Sequence, residues 1–259
     1  MAILNLTPDS FYDGGRYDSI DNVVKKVEQY KAEGADILDI GAYSSRPGAK
    51  HISKEEEGKR LFPVLQEIRK CFPNFPISID TFRSEIAQKS IDLGANIIND
   101  ISGGEMDDEM YSIIAKNKIQ YILMHIKGIP QTMQQNLSQD DIVNQVKNYF
   151  QNKLEILDKI GVNDVILDVG FGFGKTLDQN YQLLKHLNEF KSFNKYLLVG
   201  ISRKSMLYKL LNAEPKNMLN ATSVVHTLAL VKGANILRVH DVKEAKEVIE
   251  IVKKYSISI

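Results

Sequence analysis

Polar side chains stand at the ends of short apolar runs in this chain, and their types define the chemistry open to them. The run "PISID" ends in Asp80, "IIND" carries Asn99, "DVILD" ends in Asp168, and "ILRVH" carries Arg238 and His240. Asn5, Ser202 and Lys204 follow similar runs. A carboxylate in such a setting must meet a donor or lie at a wet rim, because burying it unpaired is costly. Asp80, Asn99 and Asp168 offer acceptors to a planar heterocycle, since a carboxylate takes two parallel hydrogen bonds from an amino-amidine edge. Arg238, His240 and Arg46 offer donors to a phosphate or diphosphate. The neutral oxygen of Asn5 suits a hard cation such as Mg2+ bound to that diphosphate.

The stretch "DVGFGFGKT" (168–176) imitates a phosphate loop. A P-loop would need glycine at position 169, which is Val169, and a dinucleotide fingerprint would need a third glycine at position 175, which is Lys175. Neither pattern holds. The glycines then let the backbone turn beside a flat ligand, with Asp168 as the important residue and Lys175 and Thr176 as helix-start residues.

These residues need elements to position them, and an internal repeat supplies the pattern. "GADILDIGA" from Gly34, "GANIINDIS" from Gly94, "GVNDVILDVG" from Gly161 and "GANILRVHDV" from Gly233 each read as a helix-ending glycine followed by a buried strand. Similar runs at 2–8, 76–82, 120–126 and 196–202 bring the strands to eight. Between them lie helical segments such as "SIDNVVKKVEQYKAEG" and "SEIAQKSIDLG", the latter opening on a serine cap. Strand and helix alternating over this length predict a single-domain (β/α)8 TIM barrel, with an open doubly wound sheet as the alternative. Chemistry in such a barrel sits at the C-terminal strand ends, where the polar residues converge. A structural ion-pair ring would account for any one of them; so many on one rim favour a site. Connections at 9–19, 43–58 and 127–140 are candidate active-site loops.

Bulk properties narrow the function further. The 259 residues are 43% hydrophobic and 25% charged, with 33 basic against 33 acidic residues, so no global field favours nucleic acid or an anionic membrane. There is no leader-like start and no apolar stretch of membrane-spanning length, which predicts a cytoplasmic protein. The single cysteine, Cys71, reads as a small apolar filler. His125 reads as a hydrogen-bonded packing histidine, Asp39 and Asp100 as partners of barrel helices or loop backbone, and Asp178 with Glu55 to Glu57 as helix-start or solvated charge.

The segments "ILNLTPDSFYDGG" (3–15), "GADILDIGAYSSRPGA" (34–49), "SIDT" (78–81), "IINDISGG" (97–104), "LDVGFGFGK" (167–175), "VGISRKS" (199–205) and "RVHDV" (238–242) together resemble the dihydropteroate synthase family. The resemblance runs in order through nearly the whole chain. It implies one pterin-binding barrel domain over 1–259 that condenses 6-hydroxymethyl-7,8-dihydropterin diphosphate with 4-aminobenzoate, giving 7,8-dihydropteroate and diphosphate in folate synthesis. It further implies a Mg2+ cofactor, a cytoplasmic homodimer and a sulfonamide target.

Carried over by resemblance, Asp80, Asn99, Met124, Asp168, Gly200 and Lys204 would hold the pterin, and Asn5, Arg238 and His240 the diphosphate, with Asn5 on the metal. Phe11, Ser45, Pro47, Phe173 and Ser202 would build the aminobenzoate pocket, and Asp13 and Arg46 would tie two mobile loops together on closure. Asp13, Arg46, Asp168, Lys204, Arg238 and His240 would form the catalytic set. The chain departs from the family pattern at Val169 (usually proline), at Ala42 (usually glycine) and in starting almost directly at strand 1. A pterin-binding methyltransferase domain would share the pterin residues but has no use for "SSRPG", "SRK" or "RVH". A non-catalytic pterin-binding paralogue would be expected to have lost some of them.

Overall fold

At each repeat the glycine is left-handed, with φ of 93° at Gly34, 96° at Gly94, 81° at Gly161 and 101° at Gly233, so the chain leaves a helix and turns directly into a strand. The computed structural model describes residues 1–6, 16–44, 51–130, 132–133, 137 and 141–257. Its strands are β1 (Ala2–Asn5), β2 (Leu38–Gly41), β3 (Ile77–Asp80), β4 (Ile97–Asp100), β5 (Gln120–Met124), β6 (Val165–Asp168), β7 (Tyr196–Val199) and β8 (Ile236–Leu237). They pair in parallel, in chain order. A bridge between Ala2 and Val239 joins the last strand to the first, with Ile3 N donating to Val239 O at 2.9 Å, and closes the (β/α)8 barrel.

The helices are α1 (Arg16–Ala32), α2 (Lys54–Cys71), α3 (Ser84–Asp92), α4 (Met110–Asn117), α5 (Ile142–Lys159), α6 (Leu177–Lys185), α7 (Ser205–Leu210), α8 (Leu219–Val231) and α9 (Val242–Ile257). Period-two alternation divides the core between two faces of the barrel wall. Leu38, Ile40, Ile77, Ile79, Leu123, Leu167 and Val199 pack outward in one cluster with helix residues such as Val27, Leu65, Ile68, Phe150 and Leu183. Met1, Ile97, Ile122, Ile166 and Leu198 form a separate apolar layer inside. The polar residues stand further along the same strands, toward their C-terminal ends.

Local expectations need two corrections. Ser84 does not cap α3: Arg83 is the N-cap and gives no side-chain capping bond, while the Asp107 carboxylate accepts from Ser84 N at 2.7 Å. A distant acid thus does the work expected of a local hydroxyl. Cys71 is exposed rather than a buried filler, its thiol donating to Glu67 at 3.6 Å, because the last residue of α2 faces away from the wall.

Candidate active site

Arg238, one residue past β8, reaches across the barrel interior to two other strands. Its Nε donates to Asp39 Oδ2 at 2.6 Å and its Nη2 to Asp80 Oδ2 at 2.7 Å. Asn99 Nδ2 donates to the same Asp39 oxygen at 3.2 Å, which leaves its amide oxygen for a ligand N–H. Burial works against the charge of Arg238, but Asp39 and Asp80 outweigh it and hold the guanidinium firmly cationic. The Asp80 carboxyl is pushed up to about 7 by burial, against the pull of Arg238 and with the help of nearby Asp39. The sequence separates an acceptor set from a phosphate-binding set; the structure joins them, since Arg238 is bonded to Asp80.

Asp39 is the residue that sequence reading missed. Placed there as a partner of helices or loop backbone, it is instead a fully buried carboxylate joining Arg238 to Asn99, with its Oδ1 buried and without a hydrogen-bond partner. The available signal was alternation: Asp39 pairs in register with Ser78 and Gly41 with Asp80, so it shares the inward face. Asp100 fits its expected loop role, accepting from Ser102 N at 2.7 Å, Gly104 N at 2.8 Å and Tyr121 Oη at 2.8 Å.

The turn after β6 explains its alternating glycines. Gly170, Gly172 and Gly174 have φ of 68°, 81° and 65°, and a Cβ at Gly170 or Gly174 would overlap the carbonyl oxygen of His125 or Lys127. Asp168 Oδ1 accepts from Gly170 N at 2.8 Å. Burial raises the Asp168 carboxyl, opposed first by Lys204 and then by the Gly170 N–H. Lys204 Nζ donates to the Phe171 carbonyl and lies 4.4 Å from the centre of the Phe173 ring. Its ammonium is lowered to about 8, mainly by burial.

Lys175 is not a plain helix-start residue. Its ammonium is buried and donates to the carbonyls of Gly170 at 2.8 Å, Phe173 at 3.0 Å and His125 at 3.2 Å, stapling the turn to β5. Burial lowers it to about 7 despite the attraction of Asp168. Thr176 meets its expected role in a capping box with Gln179. His125 is a packing residue, edge-on to Tyr149 at 4.9 Å and lowered to about 2 by burial; its Nδ1 is buried and makes no hydrogen bond to a described residue.

The remaining residues ring the same mouth. Gly200 lies against the aliphatic part of Arg238, and Ser202 Oγ accepts from His240 N at 3.4 Å. Asn5 ends β1 and is half-buried. Met124 belongs to an apolar arc with Tyr43, Phe82, Ile101, Ile126 and Met133, against which Phe173 packs. Phe11, Asp13, Ser45, Arg46 and Pro47 lie outside the described residues. Ala42 and Val169 are buried in the outer core, so these two departures from the family pattern have their side chains on the helix-facing side of the wall.

A closed barrel whose strand ends bring acceptors for a flat heterocycle beside a guanidinium and an apolar wall has the makings of a pterin-binding barrel enzyme. Comparison with known proteins narrows this class. Residues 1–240 match the family described as pterin binding enzyme. The chain is 42% identical to the dihydropteroate synthase of Escherichia coli K12, over 98% of this chain and 90% of that one. The Yersinia pestis dihydropteroate synthase, solved in a sulfonamide drug complex, superposes with a TM-score of 0.92 at 39% identity, covering 99% of this chain and 93% of that one. The Clostridium difficile enzyme, solved in the presence of pteroic acid, gives 0.92 at 35% identity, covering 98% and 95%. The chain belongs to the pterin-binding enzyme family and, within it, to the dihydropteroate synthases, transferases of folate synthesis.

Proposed function

We propose that the barrel, as one domain over 1–259, joins the methylene carbon of 6-hydroxymethyl-7,8-dihydropterin diphosphate to the amine of 4-aminobenzoate at the mouth described above. The observation that carries this reading is the buried network in which Arg238 bridges Asp39 and Asp80 while Asn99 shares Asp39. Asp80, Asn99 and Asp168 accept hydrogen bonds from the pterin ring, with Met124, Gly200 and Lys204 shaping its slot. Arg238 and His240 receive the diphosphate; Arg238 Nη1 carries no hydrogen bond to a described residue and faces this task with its other nitrogens already anchored. Phe173 and Ser202, with Phe11, Ser45 and Pro47, form the aminobenzoate half, the half a sulfonamide would occupy. Asp13 and Arg46 join the loops over the bound substrates.

The carbon–oxygen bond to diphosphate breaks first, and its electron pair leaves with the diphosphate. Asp168, when ionised, favours the cationic pterin-methyl group that results, and Arg238 favours the charge gathering on the leaving group. The amine nitrogen then forms the new carbon–nitrogen bond and gives its extra proton to the departed diphosphate. Exclusion of water by the loops prevents unproductive capture of the cation.

Asn5 offers one neutral oxygen, and among the described residues no cluster of three acidic, histidine or cysteine side chains could hold a metal by itself. Such a donor set fits Mg2+ that arrives with the diphosphate and keeps most of its ligands from phosphate and water. When bound, the ion would neutralise diphosphate charge.

A homodimer is supported by exposed apolar residues on adjacent helices, Val224, Leu228 and Val231 on α8 and Ile251 and Tyr255 on α9. Diphosphate release in the presence of both substrates and Mg2+ tests the reading: wild type is expected to turn over, and Arg238→Ala to lose at least about a hundredfold in kcat/KM. Pterin binding without aminobenzoate-dependent turnover in the wild type would refute it.

A further inference from the structure

Glu57, expected to be solvated charge, is wholly buried in the first turn of α2. A carboxylate so placed requires partners, and both oxygens have one: Thr81 Oγ1 donates to Oε1 at 2.7 Å, and Arg83 Nη1 pairs with Oε2. Arg83 Nη2 donates to the carbonyl of Ile52 at 2.6 Å and lies 3.4 Å from His51 Nε2. Its guanidinium covers the rings of Phe82 at 5.1 Å and Tyr43 at 5.5 Å. Tyr43 Oη meets His51 Nδ1 at 3.1 Å, and the Tyr43 ring stands edge-on to Phe82 at 5.0 Å. Chain on both sides of residues 45–50 is therefore tied to one guanidinium, itself rooted three residues beyond Asp80.

The same cluster continues into the mouth. Tyr43 and Phe82 belong to the apolar arc that includes Met124 and against which Phe173 packs. The pterin acceptors Asp80, Asn99 and Asp168 are held directly by the strand ladder. Tyr43, Phe82 and His51 lie beyond the strand ends, and the side-chain contacts just described join them to Arg83.

We propose that Arg83, anchored by Glu57, is a positioning residue for the amine half of the site, acting through Tyr43, His51 and Phe82 without touching substrate. The proposal rests on the assignment of the aminobenzoate half made above. Only a planar fork can bond Glu57 and Ile52 while stacking on two rings, so lysine at this position retains the charge and loses the geometry.

Steady-state kinetics of the full chain with Mg2+ and both substrates, comparing wild type with Arg83→Lys and the charge-neutral pair Glu57→Gln/Arg83→Met, is the test. The expected result is a KM for 4-aminobenzoate raised about fivefold to tenfold, with the KM for the pterin diphosphate and the saturated kcat within about twofold of wild type, a split that loss of folded protein does not produce. Tyr43→Phe, which removes only the hydroxyl bonded to His51, is expected to move the same constant by a smaller factor and serves if the paired variant fails to fold. Equal changes in both KM values, or no change in the aminobenzoate KM, overturn the positioning role. Absence of turnover in the wild type overturns the functional reading and the clamp with it; normal wild-type turnover with unaltered variants overturns the clamp alone.

Discussion

Asp39 holds Arg238 and Asn99 through a single oxygen, so one buried charge fixes the direction of a guanidinium and an amide together. Removing one partner of a buried ion pair leaves the other uncompensated. Asp39→Asn is therefore expected to lower kcat/KM for diphosphate release by roughly tenfold to a hundredfold while leaving Asp80 in place, as read by steady-state kinetics. Lys175 makes a second prediction through pH. Its ammonium pKa falls from 10.5 in the free side chain to about 7 in the fold, mainly by burial. Between those values the unfolded chain binds more protons than the folded one, so this lysine makes stability rise with pH across that window. Lys204, lowered to about 8 by burial, adds a slope of the same sign that persists in a Lys175 variant. Lys175→Met loses the hydrogen bonds to the turn and also its share of the slope. The gap in urea midpoint between wild type and Lys175→Met is expected to be wider at pH 9.5 than at pH 6.

The turn between β6 and α6 shows how an element can be mistaken for a different motif. Its alternating glycines suggest a phosphate cradle, yet two of them are required because neighbouring carbonyls of the β5 connection pass where a Cβ would sit. Gly161 offers the contrast: it is also left-handed, at φ 81°, but nothing lies within 4 Å of its added Cβ. Gly161→Ala is expected to cost only the strain of a left-handed alanine, about 1 kcal/mol. Gly170→Ala carries that strain and a backbone overlap, so denaturant midpoints should show a loss at least twice as large, together with weaker binding of 6-hydroxymethylpterin beside Asp168. Equal losses would mean that the turn relaxes around the added methyl group.

For the whole molecule, the exposed apolar residues on α8 and α9 face outward from the barrel rather than into its interior. If a second copy covers them, the paired change Val224→Glu/Leu228→Lys should halve the mass measured by analytical ultracentrifugation while leaving pterin binding intact. A wild-type chain that sediments as a monomer removes the dimer from the reading.

The sequence by itself determined the barrel, because helix-ending glycines and buried strand runs are local signals repeated along the chain. It also determined most candidate residues, since a polar group ending an apolar strand is conspicuous wherever the strand lies. Only the tertiary structure decided the partners. Asp39 and Arg238 lie 199 positions apart, Glu57 and Arg83 26, and Lys175 and the His125 carbonyl 50. Whether a charge in the sequence is solvated or buried against a counter-charge depends on which strands and helices the closed barrel brings together. No local pattern encodes that proximity: a glutamate in a first helical turn reads the same in sequence whether it faces water or, as Glu57 does, an arginine beyond the neighbouring strand.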